Sequence, residues 1–321
     1  MIRRYRSLAV PISVVAVIVL ALLPRFLGTY EISLVTLVLI WGIFAASLDI
    51  LLGYGGLPSL GHSAYFGVGA YAFALLSLRL FNSFWLELLV AVAATVVIAA
   101  ALGLLMLRAR DVYFLMITLA VTQVLWGVAF GWRAVTGGDD GLRGIPRHAM
   151  GLPWAMDTSH SAYYVVLAFF VLSVGAMYVF VNSPFGKGLV GTRESESRMS
   201  SMGYNVWLYR YISFIVAGLF AGLAGSLYAF FNNFVSPTQL GVVPSAEALL
   251  MVSLGGAGTL FGPLFGAGVI VLVRNIVSGY TDRWTLILGL IYILVVMVAP
   301  NGVLALIRER FRRRVSDDEP A

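Results

Sequence analysis

Leu86-Glu-Leu-Leu-Val-Ala-Val-Ala-Ala-Thr-Val-Val-Ile-Ala-Ala-Ala-Leu-Gly-Leu-Leu-Met-Leu107 is a solid apolar run with Glu87 as its single charge. As a helix rising 1.5 Å per residue, about 20 such residues cross the roughly 30 Å hydrocarbon core of a bilayer. Inside lipid the backbone must satisfy its own hydrogen bonds, which leaves helices or closed barrels. Barrel strands alternate apolar and polar residues over roughly ten positions. Neither this run nor Leu8–Leu23 alternates in that way. The composition agrees: 60% of the 321 residues are hydrophobic and 11% charged, against about 25% charged in a soluble domain. The fold class is therefore an all-α polytopic membrane protein whose main solvent is the lipid bilayer.

Working outward from that run, ten membrane segments are predicted near residues 8–24, 33–52, 62–80, 86–107, 112–132, 162–182, 209–231, 246–260, 264–281 and 284–306. The third and ninth are glycine-interrupted and carry Arg79 and Arg274 late in their length. Each is open to being a half-helix or re-entrant segment, so the expected range is 8 to 10 spans. With the amino terminus inside, 14 of the 21 Lys and Arg residues fall on inside segments and 5 outside, Arg79 and Arg274 being embedded. That bias predicts two cytoplasmic termini. The net charge of +6 is then an orientation signal and gives no reason to invoke nucleic acid. Met1-Ile-Arg-Arg-Tyr-Arg6 before an apolar run has the form of a secretory or twin-arginine signal. No small-x-small cleavage site stands near Leu23-Pro24-Arg25, so a retained first span is expected. The chain has no cysteine, hence no disulfide and no cysteine-ligated metal. Residues 1–307 form a single membrane domain on this count, and 308–321 a charged tail that runs from basic to acidic.

Two loops are long. The outside one, Arg133–Ser161, contains Thr136-Gly-Gly-Asp-Asp-Gly-Leu142, a glycine-dense stretch that predicts tight turns. The inside one, Ser183–Leu208, reads after Gly188 as a short charged helix that stops at Gly203. Uphill transport needs an ion gradient or a nucleotide motor, and the chain has no G-x-x-x-x-G-K-[ST] phosphate loop; Phe185-Gly-Lys-Gly188 lacks the upstream glycine and the hydroxyl residue. A motor must therefore be another subunit. Glu194 and Glu196, with Arg193 and Arg198, offer an element to seat in a groove of a cytoplasmic partner, an ordinary solvated loop being the alternative. A weak internal echo links Gly53-Tyr-Gly-Gly-Leu-Pro-Ser-Leu-Gly-His62 to Gly255-Gly-Ala-Gly258 and Gly262-Pro263. Paired Gly/Pro interruptions in two halves point to a substrate pathway, because unwound backbone is tolerated where it lines a cavity or is buried in protein. The candidate path residues are Asp49, Gly53, Gly55, Gly56, Ser59, Gly61, His62, Gly255, Gly256 and Gly258.

Gly191-Thr-Arg-Glu-Ser-Glu-Ser-Arg-Met-Ser-Ser-Met-Gly203-Tyr-Asn205 resembles the coupling-loop motif of ATP-binding-cassette importer permeases, and more narrowly that of the LivM family of branched-chain amino-acid permeases. Further blocks of the resemblance follow in order: Gly53–Tyr71, Tyr113–Ala120 with Gln123, Thr136–Leu142, Ala217–Tyr228 with Ser236-Pro237, and Gly255–Ala267. They cover about residues 35–302. The resemblance implies a transport subunit that is not itself an enzyme, paired with a second homologous permease. It also implies two cytoplasmic ATPases that carry ATP and Mg, and an extracytoplasmic binding protein that delivers branched-chain amino acids. This chain would bind no cofactor and no metal, and would sit in a bacterial-type plasma (inner) membrane. On the matching positions, Gly191, Arg193, Glu194, Glu196 and Gly203 couple to the ATPase, and Thr136, Gly137, Gly138 and Asp140 lie near the docked binding protein. Ser195 stands where the family usually has Asn, Ser200-Ser201 where it has alanines, and Leu57-Pro58 where a Gln-hydroxyl or Gln-small pair is common. Pro58 stiffens the start of the third segment and bears on which substrate passes. Urea, short amides or other small acids are the alternative substrates; an ion-coupled secondary transporter is the rival class.

Ionisable residues inside a membrane cost about 2.5–3.5 kcal/mol at mid-bilayer on insertion scales and so suggest a role. Asp49 fits hydrogen bonding at a helix end or between helices, with substrate contact the alternative. His62 fits a structural cap of the broken segment ahead of a ligand role. Glu247 follows Pro244-Ser245, where an acid suits a helix N-terminus. Arg274 either pairs with Asp49 or Glu247 or snorkels. Ala217-Gly218, Ala221-Gly222 and Ala224-Gly225 place small residues at the spacing that lets helix backbones approach closely. No H-E-x-x-H, G-x-S-x-G or paired-acid arrangement suggests catalysis.

Overall fold

The computed structural model describes residues 15, 17–80, 83–146, 159–281 and seven positions between 283 and 297. The expected first span is thus described only in part. Most of the expected tenth span, the tail 308–321 and loop residues 147–158 lie outside the described residues.

The described chain is a series of helices, with proline confined to the first turn or so of three of them. In order, the helices are α1 (Thr29–Asp49), α2 (His62–Arg79), α3 (Phe84–Met106), α4 (Asp111–Gly131), α5 (Ser159–Asn182), α6 (Pro184–Glu194), α7 (Glu196–Ser201), α8 (Val206–Asn232), α9 (Val242–Gly255) and α10 (Phe261–Ser278). Six of these are long and apolar enough to cross a membrane: α1 with the turn that follows it to Tyr54, α3, α4, α5, α8 and α10. Hence the chain is an all-α, multi-pass membrane protein.

α1 and α8 are the central pair, mostly buried, whereas α3, α4, α5 and α10 leave most of their length exposed. Their outward residues are apolar, among them Leu89, Val97, Val124, Leu172 and Val179, as a lipid-facing surface requires. α8 packs on α2 and α3 and α1 packs on α10 and α5. Small residues make the α2–α8 contact possible. A Cβ on Gly225 would lie 1.8 Å from the Phe66 carbonyl oxygen, and one on Gly69 would lie 2.1 Å from that of Gly222. Without a hydrophobic force between helices in lipid, such close packing is what holds the pair. Ser226 Oγ adds a hydrogen bond across it to the Gly69 carbonyl, 3.1 Å.

Three expectations about individual segments change. The third and ninth segments are continuous helices, α2 and α10. Arg79 falls late in α2 because it ends the helix, its guanidinium donating to the Ala134 and Val135 carbonyls at 3.0 and 3.2 Å. The short element is instead α9, 14 residues long, between Gly241 and Gly256. Since α9 starts at Val242, Glu247 lies in its second turn and not at its N-terminus. There it pairs with Arg274 at 3.0 Å, nearly fully buried. Arg274 also lies over the Trp41 ring, 5.2 Å from its centroid, so it meets Glu247 and not Asp49. One two-stranded antiparallel ladder, β1 (Leu142–Arg143) with β2 (Phe234–Val235), ties the loop after α4 to the segment after α8.

Candidate functional site

The two glycine-broken stretches meet one another. α1 loosens into a π-helical turn at Ile50–Tyr54 and stops at Gly55 and Gly56, the latter at φ +69. α9 stops at Gly256 (φ +100), and Gly258 (φ +79) and Leu260 (φ +53) carry the chain into α10. Thr259 Oγ1 caps α10 by accepting from Gly262 N–H at 3.1 Å, and the turn that leads into the helix needs a partner of its own. Asp49 supplies it from α1. Its carboxylate accepts from Gly258 N–H at 2.7 Å and from Leu260 N–H at 3.2 Å. A negative charge at a helix N-terminus also complements the helix dipole. Asp49 is fully buried, and Gly53 leaves the room: a Cβ there would lie 2.0 Å from Asp49 Oδ1 and 2.1 Å from the Gly258 nitrogen.

The loop 183–208 reaches the same point. Helix starts earlier than expected, at Pro184, because the Ser183 side chain accepts from Gly186 N–H and Pro184 suits a first turn. It is also two helices, not one. Ser195, extended at φ −160, ends α6 and caps α7 by accepting from Arg198 N–H at 3.3 Å. Gly203 closes the loop at φ +83. Gly191 lies against Met199, which holds the two short helices together. At the end of α6, Arg193 Nη1 donates to the Gly53 carbonyl, an acceptor that the broken helix leaves free. Its stem runs past Gly56, where a Cβ would lie 2.8 Å from Arg193 Cγ. Of the two acids, Glu194 is exposed and makes no ion pair among the described residues. Glu196 is engaged within the chain, with Arg210 at 3.0 Å and Arg110 at 3.5 Å. A cleft of about 450 Å³ opens beside them, lined by Gly56, Leu57, Pro58, Arg110, Glu196 and Arg210 among others.

The remaining path candidates make close contacts within the chain. Gly61 lies against Thr118, and Gly255 lies against Gly262 so closely that a Cβ would be 1.9 Å from its carbonyl oxygen. Ser59 Oγ accepts from Gly61 N–H at 3.1 Å. His62 opens α2, buried, hydrogen-bonded through Nε2 to Ser47 Oγ at 2.7 Å and stacked on Phe44. The broken stretches are therefore largely buried in protein, and of the glycines only Gly56 borders the cleft.

In the loop after α4, Thr136 and Gly138 are buried. Thr136 Oγ1 donates to the Ala129 and Trp132 carbonyls, and Gly137 and Gly138 take positive φ to turn the chain. These residues shape the turn; of the expected binding-protein contacts, Asp140 is the one that is exposed. Sequence patterning missed Arg110, Arg210 and Thr118, whose partners lie 14 to 86 positions away. Among the described residues no group of three or more His, Cys, Asp or Glu side chains is placed to hold a metal.

Residues 31–299 match the family model described as branched-chain amino acid transport system / permease component. The chain is 28% identical to the high-affinity branched-chain amino acid transport system permease protein LivM of Escherichia coli, over 93% of this chain and 76% of that protein. It is 27% identical to the same-named protein of Salmonella typhimurium, over 90% and 73%. A probable branched-chain amino acid transport permease protein LivH of Methanocaldococcus jannaschii is 26% identical, over 85% and 94%. No solved structure matches the chain.

Proposed function

Because the chain belongs to the family of branched-chain amino acid transport permease components, we propose that it is the membrane subunit of an ATP-binding-cassette importer that carries branched-chain amino acids inward. The likeness to LivM proteins along nearly the whole chain is the observation that carries this reading. The loop 183–208 supports it: two short helices, α6 with Glu194 exposed and α7, stand on the membrane domain and connect through Arg193 to a broken span. In this reading residues 1–307 are one permease domain in a plasma (inner) membrane, with both termini cytoplasmic and α6–α7 facing the ATPases. A second homologous permease completes the passage, two ATPases hold ATP and Mg, and an extracytoplasmic binding protein docks on the side of Asp140. ATP closure moves α6–α7, and the inner ends of the broken spans follow, switching access between the two sides.

The test is uptake of leucine, isoleucine and valine into proteoliposomes that contain the chain with its partner permease and ATPases. ATP inside and binding protein outside should together drive accumulation, and omission of either ATPase subunits or ATP should stop it. Accumulation by the chain alone on a proton or sodium gradient would overturn the proposal.

A further inference from the structure

Arg193 was expected to face the ATPase, and as a residue it is exposed, yet its guanidinium reaches the broken span and donates through Nη1 to the Gly53 carbonyl. We infer that Arg193 and Asp49 form an internal junction that transmits movement of α6 to both broken stretches at once, with Arg193 acting as a positioning residue and not as a docking contact. This rests on the importer reading above. Three segments far apart in sequence converge on Gly53. Its carbonyl accepts from Arg193. The Asp49 carboxylate one turn earlier accepts from Gly258 and Leu260. A Cβ placed on Gly258 would lie 3.2 Å from the Gly53 oxygen and 3.4 Å from Arg193 Nη1. Arg193 thus takes a carbonyl at the broken end of α1 while Asp49 holds the Gly258–Leu260 turn that leads into α10.

The consequence is mechanical. Orphan carbonyls and N–H groups at buried helix ends are costly to leave unpaired. Displacing α6 by a fraction of a turn withdraws the donor from Gly53, so the end of α1 must shift or find a new partner. Through Asp49 the start of α10 shifts with it. A rigid lever that ends on two helix termini converts a loop displacement into a change at both halves of the domain. Glu194, one residue on, is exposed and makes no ion pair among the described residues, which leaves it to meet a partner.

The experiment uses the assembled transporter in proteoliposomes and reads ATP hydrolysed per amino acid transported, together with copurification of the ATPase subunits. Arg193→Ala and Asp49→Asn should each leave the ATPases bound and raise the ATP consumed per substrate by about tenfold, within the range of an intersite coupling energy. The double variant should be no worse than either single one, since both break one junction. Arg193→Lys, which keeps charge and reach, should recover most of the coupling. The inference is overturned if Arg193→Ala keeps the wild-type ratio, or if it releases the ATPases, which would make it a docking contact. It is also overturned if the two variants multiply. Failure of the wild-type assembly to transport with ATP would refute the importer reading instead.

Discussion

The close seam between α2 and α8 makes a sharp quantitative expectation. Gly225 faces the Phe66 carbonyl oxygen so closely that an added Cβ would lie 1.8 Å away, with the Ala70 nitrogen at 3.1 Å. Reaching ordinary van der Waals contact at 3.4 Å requires the two backbones to part by about 1.6 Å. The obstacle is backbone, so no side chain can rotate aside. Gly127 on α4 is the internal control, with nothing within 4 Å of its added Cβ. Both replacements gain the same helix preference for alanine, about 0.5–1 kcal/mol. Their difference therefore isolates the clash, which at the upper end of overpacking costs is about 3 kcal/mol. For a chain of this size that corresponds to roughly 6 °C in melting temperature, at about 2 °C per kcal/mol. Thermal unfolding of detergent-solubilised Gly225→Ala and Gly127→Ala, followed by tryptophan fluorescence, measures it. Equal melting temperatures would show that α2 and α8 do not meet backbone to backbone.

Three other expectations follow from single contacts. Arg274→Met strands Glu247 as a buried charge and should destabilise by about 3–5 kcal/mol, whereas Glu247→Gln combined with Arg274→Met should be milder; chemical unfolding in mixed micelles compares them. Ser195→Ala removes the cap of α7 and should cost about 0.5–2 kcal/mol locally, seen as faster hydrogen exchange at residues 196–201, while Ser195→Asn should exchange like the parent. Glu194→Ala should weaken ATPase copurification without loosening the loop. Glu196→Ala should instead loosen α7 against Arg110 and Arg210, read as protease cleavage between 195 and 205.

Some of this was legible early. Solid apolar runs announced membrane helices, since the length of a run and its charge content are properties of adjacent residues. The small-residue pattern at Ala217–Gly225 likewise exposed a packing face, because helical spacing repeats every three to four positions. Ser195 concealed the break between α6 and α7, for its extended backbone looks like any serine in a polar stretch. Gly255 and Gly258 read as a pathway because glycine marks either a cavity wall or a close contact, and composition alone does not separate them.

By itself the sequence determined the helical membrane class, the positions of the six described helices long and apolar enough to cross a bilayer, and the family. These rest on local hydropathy and on ordered motifs, which a linear reading preserves. Only the tertiary structure decided what the ionisable and broken positions do. Asp49 holds the turn before α10 from more than 200 positions away, Arg193 takes a carbonyl at the end of α1 from 140, and Arg274 chooses Glu247 over Asp49. Such pairings depend on which helix ends are left with unsatisfied backbone groups and which charges folding brings beside them. Neither quantity exists until the helices pack.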